Sequence, residues 1–214
     1  MRKFFSDSNP IIRGLTKLAD LMWLNALFIV TSLPIFTIGT SITALYYEAM
    51  RIVAGEESYI TKDYFRAFKD NFKKSTVIWV ISVMLLALFG YTFYITGKSQ
   101  MENAHIIMGI FGIPIILLLF MLLYVFPILA KFENSILNTA MNALLISLAQ
   151  FPKTVLMLVF SAVPILLVLS DWKWFPLPVL GGFAIVAYVN GSFMNKIFDK
   201  IKEQEVPGED PKGK

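Results

Sequence analysis

The chain contains no cysteine, which excludes disulfides and thiolate metal sites. It has one histidine, His105, with no neighbouring cluster of Asp, Glu or Cys, so an imidazole metal site lacks its other ligands. There is no phosphate-cradling glycine loop, no nucleophile elbow and no pair of carboxylates within an apolar run. These absences predict no enzymatic activity and no cofactor. Charge is also scarce: 16% of the residues are charged, where an ordinary soluble domain carries ~25%. Too little polar surface remains to coat a water-soluble globule.

What fills the chain instead is apolar: 57% of the 214 residues are hydrophobic and the mean hydropathy is +0.66. In hydrocarbon every backbone amide must be paired internally, so a spanning chain is either helical or a closed barrel. The apolar runs are continuous rather than alternating, which selects helices. Four uncharged runs, 77–96, 106–130, 154–170 and 174–195, are each long enough to cross a hydrocarbon core of ~30 Å. A fifth, 21–47, would make a helix of ~40 Å, too long for one span and too short for two complete ones. Pro34, Gly39 and the Thr40-Ser41 pair punctuate it, so 33–40 reads as a turn between two short helices, 12–32 and 41–53.

Charge placement chooses between five and six spans, because lysine and arginine favour cytoplasmic loops. Six spans gather every basic residue except Lys98 and Lys173 on one side; five would move Arg2, Lys3, Arg13 and Lys17 across. The expected fold class is therefore an all-α polytopic membrane helix bundle of about six spans, the first two a short hairpin, with both termini cytoplasmic. The N-terminus lacks the pattern of a cleavable signal, so the first apolar segment is expected to stay as an anchor. Residues 1–202 form the expected single transmembrane helical domain, and the Pro/Gly-containing stretch 203–214 a disordered polar tail. The sequence pI near 9.2 is explained by orientation and contact with anionic membrane lipid, and no nucleic-acid partner is expected.

Two connections are informative. In 54–76, Tyr64, Phe68 and Phe72 recur at helical spacing with Phe65 beside them, opposite Lys62, Asp63, Arg66, Lys69 and Asp70. This predicts an amphipathic helix lying on the cytoplasmic interface, aromatics at headgroup depth. The connection 131–153 predicts a second interfacial helix over 134–150. At an offset of 79 residues, NFKKSTVIWVIS aligns with QFPKTVLMLVFS, which fits either a duplication or the common pattern of a helix, a basic residue and an apolar run. Glu48 has Arg51 one turn away, as a local ion pair would. Asn25 and Asn190 lie nearer lipid depth, where interhelical hydrogen bonds are expected.

The stretch LPIFTIGTSITALYYEAMRIVAGEESYITKDYFRAFKDNFKKS resembles the signature region of the YesL-like family, small bacterial membrane proteins of unknown function. The later KFENSILNTAMNALLISLAQFPKT is similar to that family's second shared segment. The family carries no established site residues. The resemblance implies a bacterial cell-membrane protein encoded near carbohydrate ABC importers, hence an accessory role in sugar uptake, packed against a permease subunit. The alternative is an independent small-solute permease or channel, as a possible homo-oligomer. Expected contact residues are Glu48 and Arg51 on the second short helix, Tyr59, Tyr64, Phe65, Phe68 and Phe72 on the first connection, and Asn134 and Asn142 on the second.

Overall fold

The structure, a computed structural model, describes residues 10–56, 59–99 and 103–205. Among these the chain is helical, without a strand. The helices are α1 (Pro10–Ser32), α2 (Ile38–Ala54), α3 (Ile60–Lys98), α4 (Ala104–Lys131), α5 (Ile136–Ala149), α6 (Phe151–Ser170) and α7 (Phe183–Glu205). Four of them, α1 over Ile12–Ser32, α3, α4 and α6, are long and apolar enough to cross a membrane. The architecture is that of a helical membrane bundle.

The expected hairpin is present. After Ser32 the chain turns at Leu33-Pro34 and passes through a 3-10 turn, Ile35–Thr37, directly into α2. Pro34 ends the first helix because it has no N–H to give and its ring displaces the preceding turn. The Thr37 hydroxyl, 2.6 Å from Thr31 O and 2.7 Å from Pro34 O, satisfies carbonyls left open there. The turn thus closes before Thr40, and α2 starts earlier than the Thr40-Ser41 pair predicts.

Small residues set the α2–α3 distance. A Cβ on Gly39 would lie 2.5 Å from Trp79 Cβ and 2.8 Å from Ser75 O. Glycine there lets the two backbones approach, and hydroxyls bridge the seam: Thr43 Oγ1 to Ser75 Oγ at 2.8 Å and Thr40 Oγ1 to Thr76 Oγ1 at 3.1 Å.

The first interfacial helix is corrected. Residues 60–76 do not form a separate element but the opening turns of α3, which runs unbroken for 39 residues. No glycine or proline separates the polar stretch from the apolar run, so the helical hydrogen-bond ladder continues through both. Its aromatics are divided between inside and outside. Tyr64 is fully buried, its hydroxyl 2.6 Å from Thr31 Oγ1, and Phe68 packs against the same core.

The second expected helix, 134–150, is present as a separate element, α5 (Ile136–Ala149). Ser135 caps α5 by accepting the Asn138 N–H at 3.3 Å. The helix then folds back along α4, because its far end brings Phe151 to 5.9 Å from Phe120, eleven residues before the end of α4. Thr154 Oγ1 and Tyr124 OH meet at 2.9 Å beside it. Thr139, Ala143 and Ser147 face inward, the small residues that such close packing needs, and Leu137, Met141 and Leu145 face outward. The two segments related by the 79-residue offset fold differently: 71–82 lies inside α3, whereas 150–161 begins at the break between α5 and α6.

The last helical segment, expected over 174–195, opens with a π-helical turn, Pro178–Gly182, and continues as α7. Asn25 of α1 fills that turn: its Nδ2 donates to Pro178 O at 3.0 Å and Val179 O at 2.7 Å, and its Oδ1 accepts the Ala184 N–H at 3.0 Å. Carbonyls and an amide displaced from the α-helical ladder are thereby satisfied in a buried place. Asn190, also buried, reaches Tyr46 OH at 3.2 Å and Ser161 Oγ at 2.9 Å. Both asparagines make the interhelical bonds expected of them. The helix persists to Glu205, past the expected boundary at 202; the rest of the expected tail lies outside the described residues.

Candidate functional site

At the polar end of the bundle, α2 closes on Gly55, whose φ of 74° places it in the left-handed region that favours glycine. The Gly55 N–H donates back to the carbonyls of Arg51 and Ile52, and the Glu56 N–H to Arg51 O at 3.1 Å. This stop leaves Arg51 in the final turn of α2, facing the start of α3. There Tyr59 and Asp63 bond reciprocally: the Asp63 N–H donates to Tyr59 O at 2.9 Å and the Tyr59 N–H to Asp63 Oδ2 at 3.2 Å.

Arg51 ties the two helix ends together. Its Nη1 donates to Asp63 Oδ2 at 2.8 Å and its Nε to Glu56 Oε2 at 3.1 Å, while Glu48 Oε1 lies 3.7 Å away. Arg66 Nη2 approaches Asp63 Oδ1 at 3.0 Å and donates to Tyr47 OH at 3.1 Å. The guanidinium of Arg51 also sits 5.6 Å from the centre of the Tyr47 ring. Asp63 is held below the usual carboxylate range, chiefly by the hydrogen bond from Arg51, against the opposing effect of burial. The two arginines therefore favour its charged form, which keeps both contacts charge-assisted at neutral pH.

Beside the clamp, α2, α4 and α7 enclose a concavity of about 650 Å³. Arg51, Lys131, Lys196 and Asp199 contribute charges of both signs to its wall. Asn195 joins the walls, donating from Nδ2 to Met50 O at 2.9 Å and accepting from Lys131 Nζ at 3.4 Å. Among the described residues, no group of three or more His, Cys, Asp or Glu side chains is placed to hold a metal ion.

The structure sorts the residues expected to make contacts. Glu48, Arg51 and Tyr59 meet in one cluster, but Glu48 and Tyr64 are fully buried and present no surface. Tyr59, at 81% exposure, Phe65, at 47%, and Phe72 face outward. Phe68 lies between Tyr64, on which it stacks at 6.5 Å between ring centres, and Phe72, tilted at 5.9 Å. Asn134 uses its carbonyl, which accepts from Lys74 Nζ at 2.9 Å, and Asn142 is exposed on α5. The sequence pointed to Glu48 as the partner of Arg51. Asp63 is the closer one, and it was missed because the two residues are twelve apart on different helices. The Gly55 stop between them was the available signal.

A sequence-family model described as "Protein of unknown function, DUF624" matches residues 21–93. That span takes in α2 whole, most of α1 and most of α3, including the Gly39 seam, the Arg51–Asp63 clamp and the stretch 33–75 that carries the resemblance noted above. No curated protein and no solved structure matches the chain.

Proposed function

We propose that the chain is a six-span accessory protein of a bacterial cell membrane, with both termini cytoplasmic, whose polar end docks a membrane partner. The two spans beyond the four long apolar helices are α2 and the continuous helical segment of the π-turn and α7. Both are packed in the bundle interior, where length and hydropathy need not match an isolated span. The partner is a carbohydrate ABC importer permease, an assignment resting on the YesL-like resemblance and its sugar-uptake setting.

The observation that carries the docking role is the Arg51–Asp63 clamp with exposed aromatics around it. Tyr59 precedes α3 and Phe65 lies on its second turn, so both stand exposed beside the Arg51–Asp63 contact. Rigid, exposed aromatics lose little conformational entropy on binding and are enriched where proteins meet.

The test is co-purification in mild detergent from native membranes, paired with sugar uptake in a deletion strain. Permease subunits recovered with the chain, and slowed uptake without it, are the expected results. Recovery of the chain alone with uptake unchanged would overturn the proposal.

A further inference from the structure

Away from the polar end, a second cavity of about 410 Å³ lies within the bundle. Its walls are almost wholly apolar and come from regular helical stripes. Leu119, Leu122, Leu123 and Phe126 of α4 face Leu158, Ser161, Ala162 and Ile165 of α6, both sets spaced i, i+3, i+4, i+7. The α4–α6 pair is joined at Phe120–Phe151 and Tyr124–Thr154, and the cavity occupies the space beyond those contacts. Ile165 is exposed on its outer side, so the cavity borders the apolar flank of the bundle.

One wall is polar. Tyr46 and Ser161 line the cavity, and both hydroxyls accept from the same Asn190 amide nitrogen. Even if one hydroxyl bonds the other, at least one hydroxyl hydrogen remains to donate to an occupant. Asn190 is fully buried, and its Oδ1 has no hydrogen-bond partner among the described residues. That acceptor needs a donor, which an ester carbonyl does not have, so the group an ester oxygen can engage here is the free hydroxyl hydrogen of the Tyr46–Ser161 pair.

The depth of this wall identifies the occupant. Tyr46 precedes Arg51 by five residues and Asn190 precedes Lys196 by six, which places them ~7–9 Å along the helices from the charged polar end. That is one to two helical turns below the level of the headgroup-facing charges, where a glycerolipid carries its ester carbonyls. We infer that the cavity between α4 and α6 is a lipid site: it takes one acyl chain of a bilayer glycerolipid, with the ester carbonyl accepting from the Tyr46–Ser161 pair. Apart from that one polar wall the lining is apolar, so hydrocarbon is the occupant that recovers the missing contacts. The volume falls within the ~300–1,000 Å³ of ordinary ligand sites.

This inference rests on the membrane-embedded reading. Trp79 lines the cavity and is one of four tryptophans, so it can report on the occupant once Trp23, Trp172 and Trp174 are changed to Phe. The protein is reconstituted into phosphatidylcholine vesicles with acyl chains brominated at mid-chain, and Trp79 fluorescence is measured. The expected result is strong quenching that is mostly lost when Ala162→Phe, or independently Ala187→Leu, fills the cavity. Ser161→Ala should keep the quenching but lower the amount of phospholipid retained after detergent washing, measured by mass spectrometry. Equal quenching in the filled and unfilled proteins would mean that Trp79 sees only bulk lipid and would overturn the inference. Failure of the protein to sediment with vesicles would overturn the membrane reading as well, so the two failures are distinguishable.

Discussion

Asn25 Oδ1 accepts the backbone N–H of Ala184 at 3.0 Å, across 159 residues of chain, and so closes the one irregular turn at the head of α7. The same side chain donates to Pro178 O and Val179 O, so a single amide ties α1 to the π-turn by three hydrogen bonds. Asn25→Ala removes three hydrogen bonds from this buried turn, and a donor or acceptor left unsatisfied there costs ~1–3 kcal/mol. A lowered thermal midpoint of the detergent-solubilised protein checks this, and an unchanged midpoint would contradict it.

Gly39 offers a cleaner steric test. Gly39→Ala would force a Cβ to 2.5 Å from Trp79 Cβ and 2.8 Å from Ser75 O, neither of which can swing aside. The α2–α3 seam should then open, with a loss of ~1–3 kcal/mol, as overpacking usually gives. Gly14→Ala is the control, since nothing lies within 4 Å of a Cβ there. In a helix it should be neutral or stabilising by up to ~1 kcal/mol. Denaturation of the two variants side by side separates contact from propensity.

The clamp predicts unequal arginines. Arg51→Gln separates Asp63 and Glu56 from their shared cation and removes the cation that stands 3.7 Å from buried Glu48. A fully buried pair broken from one side costs ~3–5 kcal/mol; Arg51 is 21% exposed, so its loss should fall below that range. Arg66, at 54% exposure, should cost far less when changed to Gln, because solvent screens its pair with Asp63. Comparing their unfolding midpoints checks the ranking.

The same cluster sets a pH dependence. The Asp63 carboxyl is held below its ordinary value by the Arg51 hydrogen bond, so the unfolded chain binds its proton more readily than the folded one. The stability it contributes is full above the ordinary carboxylate range and is lost as pH falls through the lower, folded value. Acid titration of the thermal midpoint should therefore show a decline at low pH that is smaller in Asp63→Asn.

Much of this bundle is legible in the residues, and what is not has a common cause. Pro34 announces the α1–α2 turn because its effect is local. The apolar runs announce their helices, and the isolated amides of Asn25 and Asn190 announce interhelical bonds. The continuity of α3 was misread because amphipathic spacing in 60–72 reports a buried stripe without saying what buries it. Here Thr31 and Ser41 of the preceding hairpin lie beside Tyr64, so the stripe meets protein rather than a membrane surface. The fold-back of α5 rests on Thr139, Ala143 and Ser147, whose small size signals close packing but names no neighbour. The π-turn and the Arg51–Asp63 bond depend on residues distant in sequence, and no local pattern encodes them.

The docking role is tested most directly by placing a photo-crosslinking amino acid at Phe65, which is exposed beside the clamp, and irradiating native membranes. The expected result is a discrete adduct with a carbohydrate permease subunit, absent when the crosslinker is moved to Gly14 on α1. Adducts with lipid alone at both positions would contradict it.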